Sequence, residues 1–350
     1  MDNLTHSLFG WTIARTGLGR RVPYATATLI LASNAPDIDI VSGFRSGIDY
    51  LAVHRGPTHG PLGAIGLGLI TAGAMTGWAR LRSGNTPPSE PGRLFLERWM
   101  LATIGIVCHV LMDLPTSYGT RMFSPFVWTW YALDWMPIID LYLWAVLIGA
   151  LAVGSRIRPQ RAAFIALGFL AFDYTTRAVL HEQALTNGAL FDAAGVRSVC
   201  ESAPTFVTHS ATNGIALTRS DSCIEAAALP TFFSPLTWRI IRQHSRFYEL
   251  SDRTIGAEPT QVRAMRLENE NSPDVLRVRQ TRPGTVYFDF ARFPIANVSR
   301  SSPALTTVRL FDARFIAMLS TREDAATNAR LSVVVTLDES GRVVQQRFGD

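Results

Sequence analysis

The stretch HRGPTHGPLGAIGLGLITAGAMTGWAR (residues 54–80) runs from a polar, histidine-bearing segment straight into an apolar one. From Pro61 to Ala79 it carries no charge and is rich in Gly, Ala, Leu and Ile, about the length of helix that crosses one bilayer. Arg80 and Arg82 close it. Working outward, the apolar run from Trp99 to about Tyr118 holds only His109 and Asp113 as ionisable groups, and that from about Trp135 to Ser155 holds only Asp140. Ala162 to about Leu180 is interrupted by Asp173 and Arg177, of which Asp173 reads as a helix-pairing residue. Leu4 to Ala14 and Val22 to Pro36 are apolar but short, which suits a re-entrant pair or thin helices packed against the others. The start, MDNLTHSLFG, is acidic where a cleavable signal would be basic.

Composition supports this reading. The chain has 350 residues, 47% hydrophobic and 17% charged, with a mean hydropathy of +0.15, which excludes a disordered chain and is too apolar for an ordinary soluble enzyme. Residues 1–185 carry 14 Arg and 11 Asp or Glu, whereas the shorter remainder carries 19 Arg and 17 Asp or Glu, so the two halves suit different solvents. The net charge of +5 is spread singly, and no nucleic-acid partner is expected. All 33 basic residues are Arg, a composition bias without a mechanism. Three cysteines cannot make a disulfide framework, although Cys200 and Cys223 can bridge if their half lies outside the cytoplasm.

After about Ala194 the period changes to two. Val275 to Arg279, Thr285 to Phe290, Thr306 to Phe311, Leu331 to Leu337 and Arg342 to Phe348 read as strands, the last two as a hairpin turning at Asp338 to Gly341. The aromatics of RFYEL and VYFDF suit a half-buried sheet. The expected architecture is an α-helical polytopic membrane domain over residues 1–190, with about four spans plus short N-terminal helices, and a β-rich soluble domain over 195–350.

Arginines set the sidedness. The loop from 80 to 98 holds four and that from 155 to 161 three, against one in 115–135, so the first two loops are expected in the cytoplasm, with the β-rich domain periplasmic. This topology brings His6, Asp37, Asp39, His54, His59, His109 and Asp113 to one membrane surface. His109 and Asp113, four apart, share a helix face, and Asp37 and Asp39 in an extended turn can point the same way. Neutral imidazole with carboxylate is the ligand set of Zn, Mn or Fe(II), and seven donors suit one or two ions, as in phosphoester hydrolysis by metal-activated water. Arg55 lies between two of these donors and reads as a phosphate clamp or a snorkelling interfacial residue. A general base is expected from whichever of Asp37, Asp39 or Asp113 is not a ligand. His209 and His244 read as surface histidines of the β-rich half.

The combination MDNLTHSLFG, APDIDI, HRGPTHG, HVLMDLPTSYGTRMFSPF and ALDWMPIIDLY, with LPTFFSPLTWRII further on, resembles the membrane-bound, metal-dependent hydrolases of bacterial inner membranes, some described as LexA-regulated. The resemblance covers the N-terminal half motif by motif. It implies a multi-pass inner-membrane hydrolase whose metal ligands fall on His6, Asp37, Asp39, His54, His59, His109 and Asp113. One departure is Gly60, where the resemblance leads one to expect Ser after the second His. A site at lipid depth makes the bilayer a partner and a phospholipid or lipid-linked phosphate the expected substrate, with zinc the first choice of metal. A non-catalytic scaffold with a structural metal and a cation transporter are the alternatives.

Overall fold

Proline, Asp and Gly positions fix where the helices begin and end. The computed structural model describes residues 1–83, 90–154, 156, 158–192, 200–202, 207–209, 223–257, 264–302, 304–316 and 329–349. Its elements are α1 (Asn3–Arg15), α2 (Ala25–Ala32), a 3-10 helix (Ala35–Phe44), α3 (Gly47–Val53), α4 (Pro61–Ser83), α5 (Pro91–Asp113), β1 (Trp130–Ala132), α6 (Leu141–Gly154), α7 (Pro159–Leu190), β2 (Glu201–Ser202), β3 (Val207–His209), β4 (Cys223–Pro230), β5 (Thr237–His244), β6 (Phe247–Thr254), β7 (Ala264–Glu268), α8 (Pro273–Gln280), α9 (Arg282–Phe290), β8 (Pro294–Ser302), β9 (Leu305–Asp312), a second 3-10 turn (Ala313–Phe315), β10 (Val333–Asp338) and β11 (Val343–Phe348). They form two compact units, Met1–Ile40 with His54–Ala178, and Val41–Val53 with Val179–Asp350.

In the first unit, α4, α5 and α7 are each long and apolar enough to cross a membrane. Much of their apolar surface is exposed, including Ile65, Ile70, Ile104, Leu111, Ile165 and Phe172, a pattern unfavourable in water and natural in lipid. The expected third span is shorter than predicted. Asp140 accepts from the Leu143 N–H at 2.9 Å and so caps α6 at Leu141, leaving 14 helical residues. Pro23 and Pro36 bracket the second apolar run, of which only Ala25–Ala32 is α-helical.

The helices alternate in direction. Asn34 after α2 donates to Ser7 Oγ at 3.0 Å, and Trp144 Nε1 donates to Thr5 Oγ1 at 2.8 Å, so the starts of α1 and α6 and the end of α2 share one end. Gln160 in the first turn of α7 donates to Thr16 O, placing the start of α7 and the end of α1 at the other. Arg177 of α7 is buried and bonded to Asp140, and its Nε lies 3.3 Å from Asp173 one turn earlier on the same helix, so Asp173 pairs within α7 and Arg177 makes the link to Asp140.

The second unit holds a five-stranded sheet of order β2-β4-β5-β6-β7 and a four-stranded sheet of order β11-β10-β9-β8. All their pairings are antiparallel except that of β2 with β4. Val333, Val335 and Leu337 of β10 are buried in strict alternation, and the 331–348 hairpin forms as its turn signal implies. Leu229, Ile241, Tyr248, Leu250, Phe293 and Phe311 make one core.

Two expected strands are helices. Pro273 and Pro283 open α8 and α9, the Thr281 side chain accepts from the Gly284 N–H at 3.3 Å, and Arg277 and Arg279 lie in the last turn of α8. Burial at Pro283, Gly284, Tyr287 and Phe290 follows the helical period, which a window as short as VYFDF does not separate from alternation. His244 is not a surface histidine either, for it is buried and stacked on Phe247 with ring centroids 4.2 Å apart. The side chain of His209 lies outside the described residues.

Cys200 and Cys223 form a disulfide across 23 residues. Closing a loop of that size restricts the unfolded chain by about 3 kcal/mol. The Cys200→Ser, Cys223→Ser double variant should therefore unfold at lower denaturant than the oxidised protein, and reduction of the parent should reproduce the shift.

Candidate metal centre

The donors come from the ends of four elements. His6 stands in the first turns of α1, after Asp2 accepts from the N–H groups of Leu4 and Thr5 at 3.0 and 3.1 Å. Asp37 and Asp39 lie on the 3-10 helix, His54 to His59 in the turn before α4, and His109 and Asp113 one turn apart at the end of α5.

Asp37, His59, His109 and Asp113 converge, with one ligand atom from each lying within 4.8 Å of the others. His59 Nε2 is 3.2 Å from His109 Nε2, 3.5 Å from Asp113 Oδ2 and 3.7 Å from Asp37 Oδ1. His109 Nε2 is 3.3 Å from Asp113 Oδ2 and 3.6 Å from Asp37 Oδ1. A tetrahedral ion with ligand bonds of about 2.1 Å separates its donors by about 3.4 Å.

The protons settle the chemistry of this pocket. His109 Nδ1 lies 2.7 Å from the carbonyl oxygen of Ser33, which can only accept, so in the neutral imidazole Nδ1 carries the proton and Nε2 the lone pair. Thr58 Oγ1 donates to Asp39 Oδ2 at 3.2 Å and so accepts from His59 Nδ1 at 3.0 Å, which leaves His59 Nε2 bare as well. Burial, the largest influence, pushes the pKa of His59 down to about 4 despite the Asp113 carboxylate beside it, so the ring is neutral at pH 7. Two imidazole lone pairs and two carboxylates thus face one another, and Asp113 Oδ2 has no hydrogen-bond partner among the described residues. Such an all-acceptor pocket suits a cation. The donor set therefore fits a divalent metal, and it is one such group among the described residues where the sequence suggested one or two ions.

The remaining predicted residues surround this group. His6 stacks on His109 with ring centroids 3.8 Å apart; its Nε2 is 3.5 Å from Asp113 Oδ1, and neither of its ring nitrogens makes a hydrogen bond among the described residues. Asp39 stands outside the four. Its Oδ1 is 2.9 Å from His54 Nδ1, and its Oδ2 accepts the Arg55 N–H at 2.8 Å. Burial alone would raise the Asp39 pKa, but the hydrogen bonds from His54 and the Arg55 N–H hold it below the usual carboxylate value.

Arg55 is directed inward. Its Nη2 donates to Asp113 Oδ1 at 3.0 Å and its Nη1 to Gly119 O at 2.9 Å, with the guanidinium 4.7 Å over the Tyr118 ring. Its carbonyl accepts the N–H of Arg121, whose side chain is sandwiched between Trp128 and Trp130 at 4.5 and 4.2 Å. Asp140 does not join the four, since it bonds Arg177. Sequence reasoning missed the Ser33 carbonyl, the Thr58 hydroxyl and Tyr118. Thr58 lay in plain view within HRGPTHG, but a backbone carbonyl leaves no mark in a sequence.

Gly60 has a steric cause. A Cβ there would lie 1.7 Å from the carbonyl oxygen of Ser124, so no side chain fits unless the backbone moves.

Fold and site together define a multi-pass helical membrane protein with a buried histidine–aspartate centre at one end of its helical unit. The model of the YdjM inner membrane protein family matches residues 1–184, and the chain belongs to that family. Over 184 residues it is 28% identical to an uncharacterized protein, YfhP, of Bacillus subtilis (strain 168); the match covers 50% of this chain and 52% of that protein, so the chain spans about half the length of the curated relative it matches. No solved structure matches the chain.

Proposed function

We propose that this protein is a metal-dependent hydrolase of the inner membrane, acting on a phosphoester of a lipid or lipid-linked substrate, with Asp37, His59, His109 and Asp113 holding the ion. The observation that carries this reading is the convergence of four acceptor atoms whose imidazole protons are committed elsewhere. A bound Zn, Mn or Fe(II) ion supplies Lewis acidity toward a phosphoryl oxygen and an activated water. His54, held by Asp39 through Nδ1, is the proton acceptor of this scheme, with Asp39, the aspartate outside the four, orienting its ring in place of acting as the base itself. Arg55 positions Asp113, and His6 walls the pocket. Ile38 and Ile40, 54% and 65% exposed, flank the inward carboxylates, which favours a substrate arriving from lipid. The disulfide in the β-rich unit supports a periplasmic location for it.

A structural metal is the second reading, favoured because four protein donors, three of them buried and Asp37 half-buried, form a set of the size structural zinc prefers. One preparation separates the two. The detergent-purified protein should contain about one equivalent of metal by mass spectrometry, and the His54→Gln variant should keep that metal while losing about a hundredfold in phospholipid hydrolysis in mixed micelles. Full metal content with no hydrolysis of any phospholipid presented would assign the ion to structure, and absence of metal in the folded parent would overturn both readings.

A further inference from the structure

At the end of the helical unit remote from the metal centre, an open groove of about 810 Å³ lies between the turn that joins α1 to α2 and the first turn of α7. His6 and Arg15 stand nine residues apart on α1, about 13 Å of helix, so this groove and the centre are separate sites. Arg15 and Arg20 line it, and neither guanidinium makes a hydrogen bond or an ion pair among the described residues. Arg15 lies 5.8 Å over the Trp11 ring. No Asp or Glu occurs in residues 3–36 or 141–172, which supply the walls, so the positive charge has no carboxylate in the segments that build the groove. Exposed Trp11, Leu18 and Tyr24 give the same groove an amphipathic wall, and Pro159 marks where a membrane-crossing helix begins. Aromatic rings and arginines at such a level sit among lipid headgroups.

We propose that this groove binds the phosphate headgroup of an anionic membrane lipid. Arg15 and Arg20 pair with the phosphate, Tyr24 and Trp11 border the headgroup, and Leu18 and Ile30 meet the first carbons of the tail. Charge complementarity selects the ligand, because two arginines without carboxylate partners favour a net negative lipid over a zwitterionic one. The apolar wall favours a lipid over free phosphate.

The test uses the full chain in detergent with bound lipid followed by native mass spectrometry. Dioleoylphosphatidylglycerol should be retained about tenfold over dioleoylphosphatidylcholine. The preference should fall to near parity in the Arg15→Gln, Arg20→Gln variant and persist in an Arg156→Gln, Arg158→Gln variant, which removes equal charge from the neighbouring turn. Metal content and the unfolding midpoint report that each variant is folded. If the Arg15 change prevents folding, Arg20→Gln alone, at an exposed position, should lower the preference at least threefold. Equal retention of the two lipids by the parent, or a preference that survives loss of both groove arginines, would overturn the proposal. Displacement of the lipid by millimolar inorganic phosphate would assign the groove to a soluble anion and equally end it.

Discussion

Replacing Asp113 by Asn should leave the purified protein without bound metal and destabilise it by about 3–5 kcal/mol, the cost of stranding a buried charge. Asp113 is fully buried at the end of α5 and serves two masters. Its Oδ2 faces His59 and His109 at 3.5 and 3.3 Å, while its Oδ1 accepts Arg55 Nη2 at 3.0 Å and is bonded to the Met1 amine. The amide cannot neutralise that guanidinium, and it presents an N–H where a lone pair is needed. Metal analysis and detergent-compatible thermal unfolding read the two effects separately. Asp39→Asn, by contrast, should weaken metal retention far less, since Asp39 lies on the Nδ1 side of His59, 3.7 Å from that nitrogen, and its oxygens are engaged by His54, Thr58 and the Arg55 N–H. Retained metal in Asp113→Asn would dissolve the assignment of the centre.

The second large effect belongs to a residue with no side chain. Gly60→Ala should lower stability by at least about 3 kcal/mol, because the added methyl collides with backbone and not with a side chain that can swing away. The displaced segment is the one that carries His59 and leads into α4, so metal should be lost with it. Gly60→Ser should do the same, and its hydroxyl should restore nothing. A Gly60→Ala protein with the parent's unfolding midpoint and metal content would show that the Ser124 carbonyl yields cheaply.

Membrane character was legible because the runs at 61–79 and 99–118 are longer than any soluble core needs, and the site because histidines and aspartates punctuate their ends. What the sequence could not divide was the labour within that set. Asp37 and Asp39 look equivalent in APDIDI, and an extended turn would have aimed them together. The 3-10 helix instead sends Asp37 to His59 and His109 and Asp39 to His54 and the Arg55 N–H. Arg55 was legible as special, but its target was not, since Asp113 lies 58 positions away and only tertiary packing joins them. In the β-rich half, the strands read at β9 to β11 form, with burial alternating through β10, whereas the reading failed at 275–290, where two prolines and a Thr cap outweighed five-residue patterns.

Every donor atom of the centre, together with the carbonyl of Gly119 that holds Arg55, belongs to the first 119 residues. During synthesis the complete ligand set is therefore available once α5 has entered the bilayer, before α6, α7 or any strand of the β-rich unit has left the ribosome. The donor set is thus made ahead of the strands that follow it.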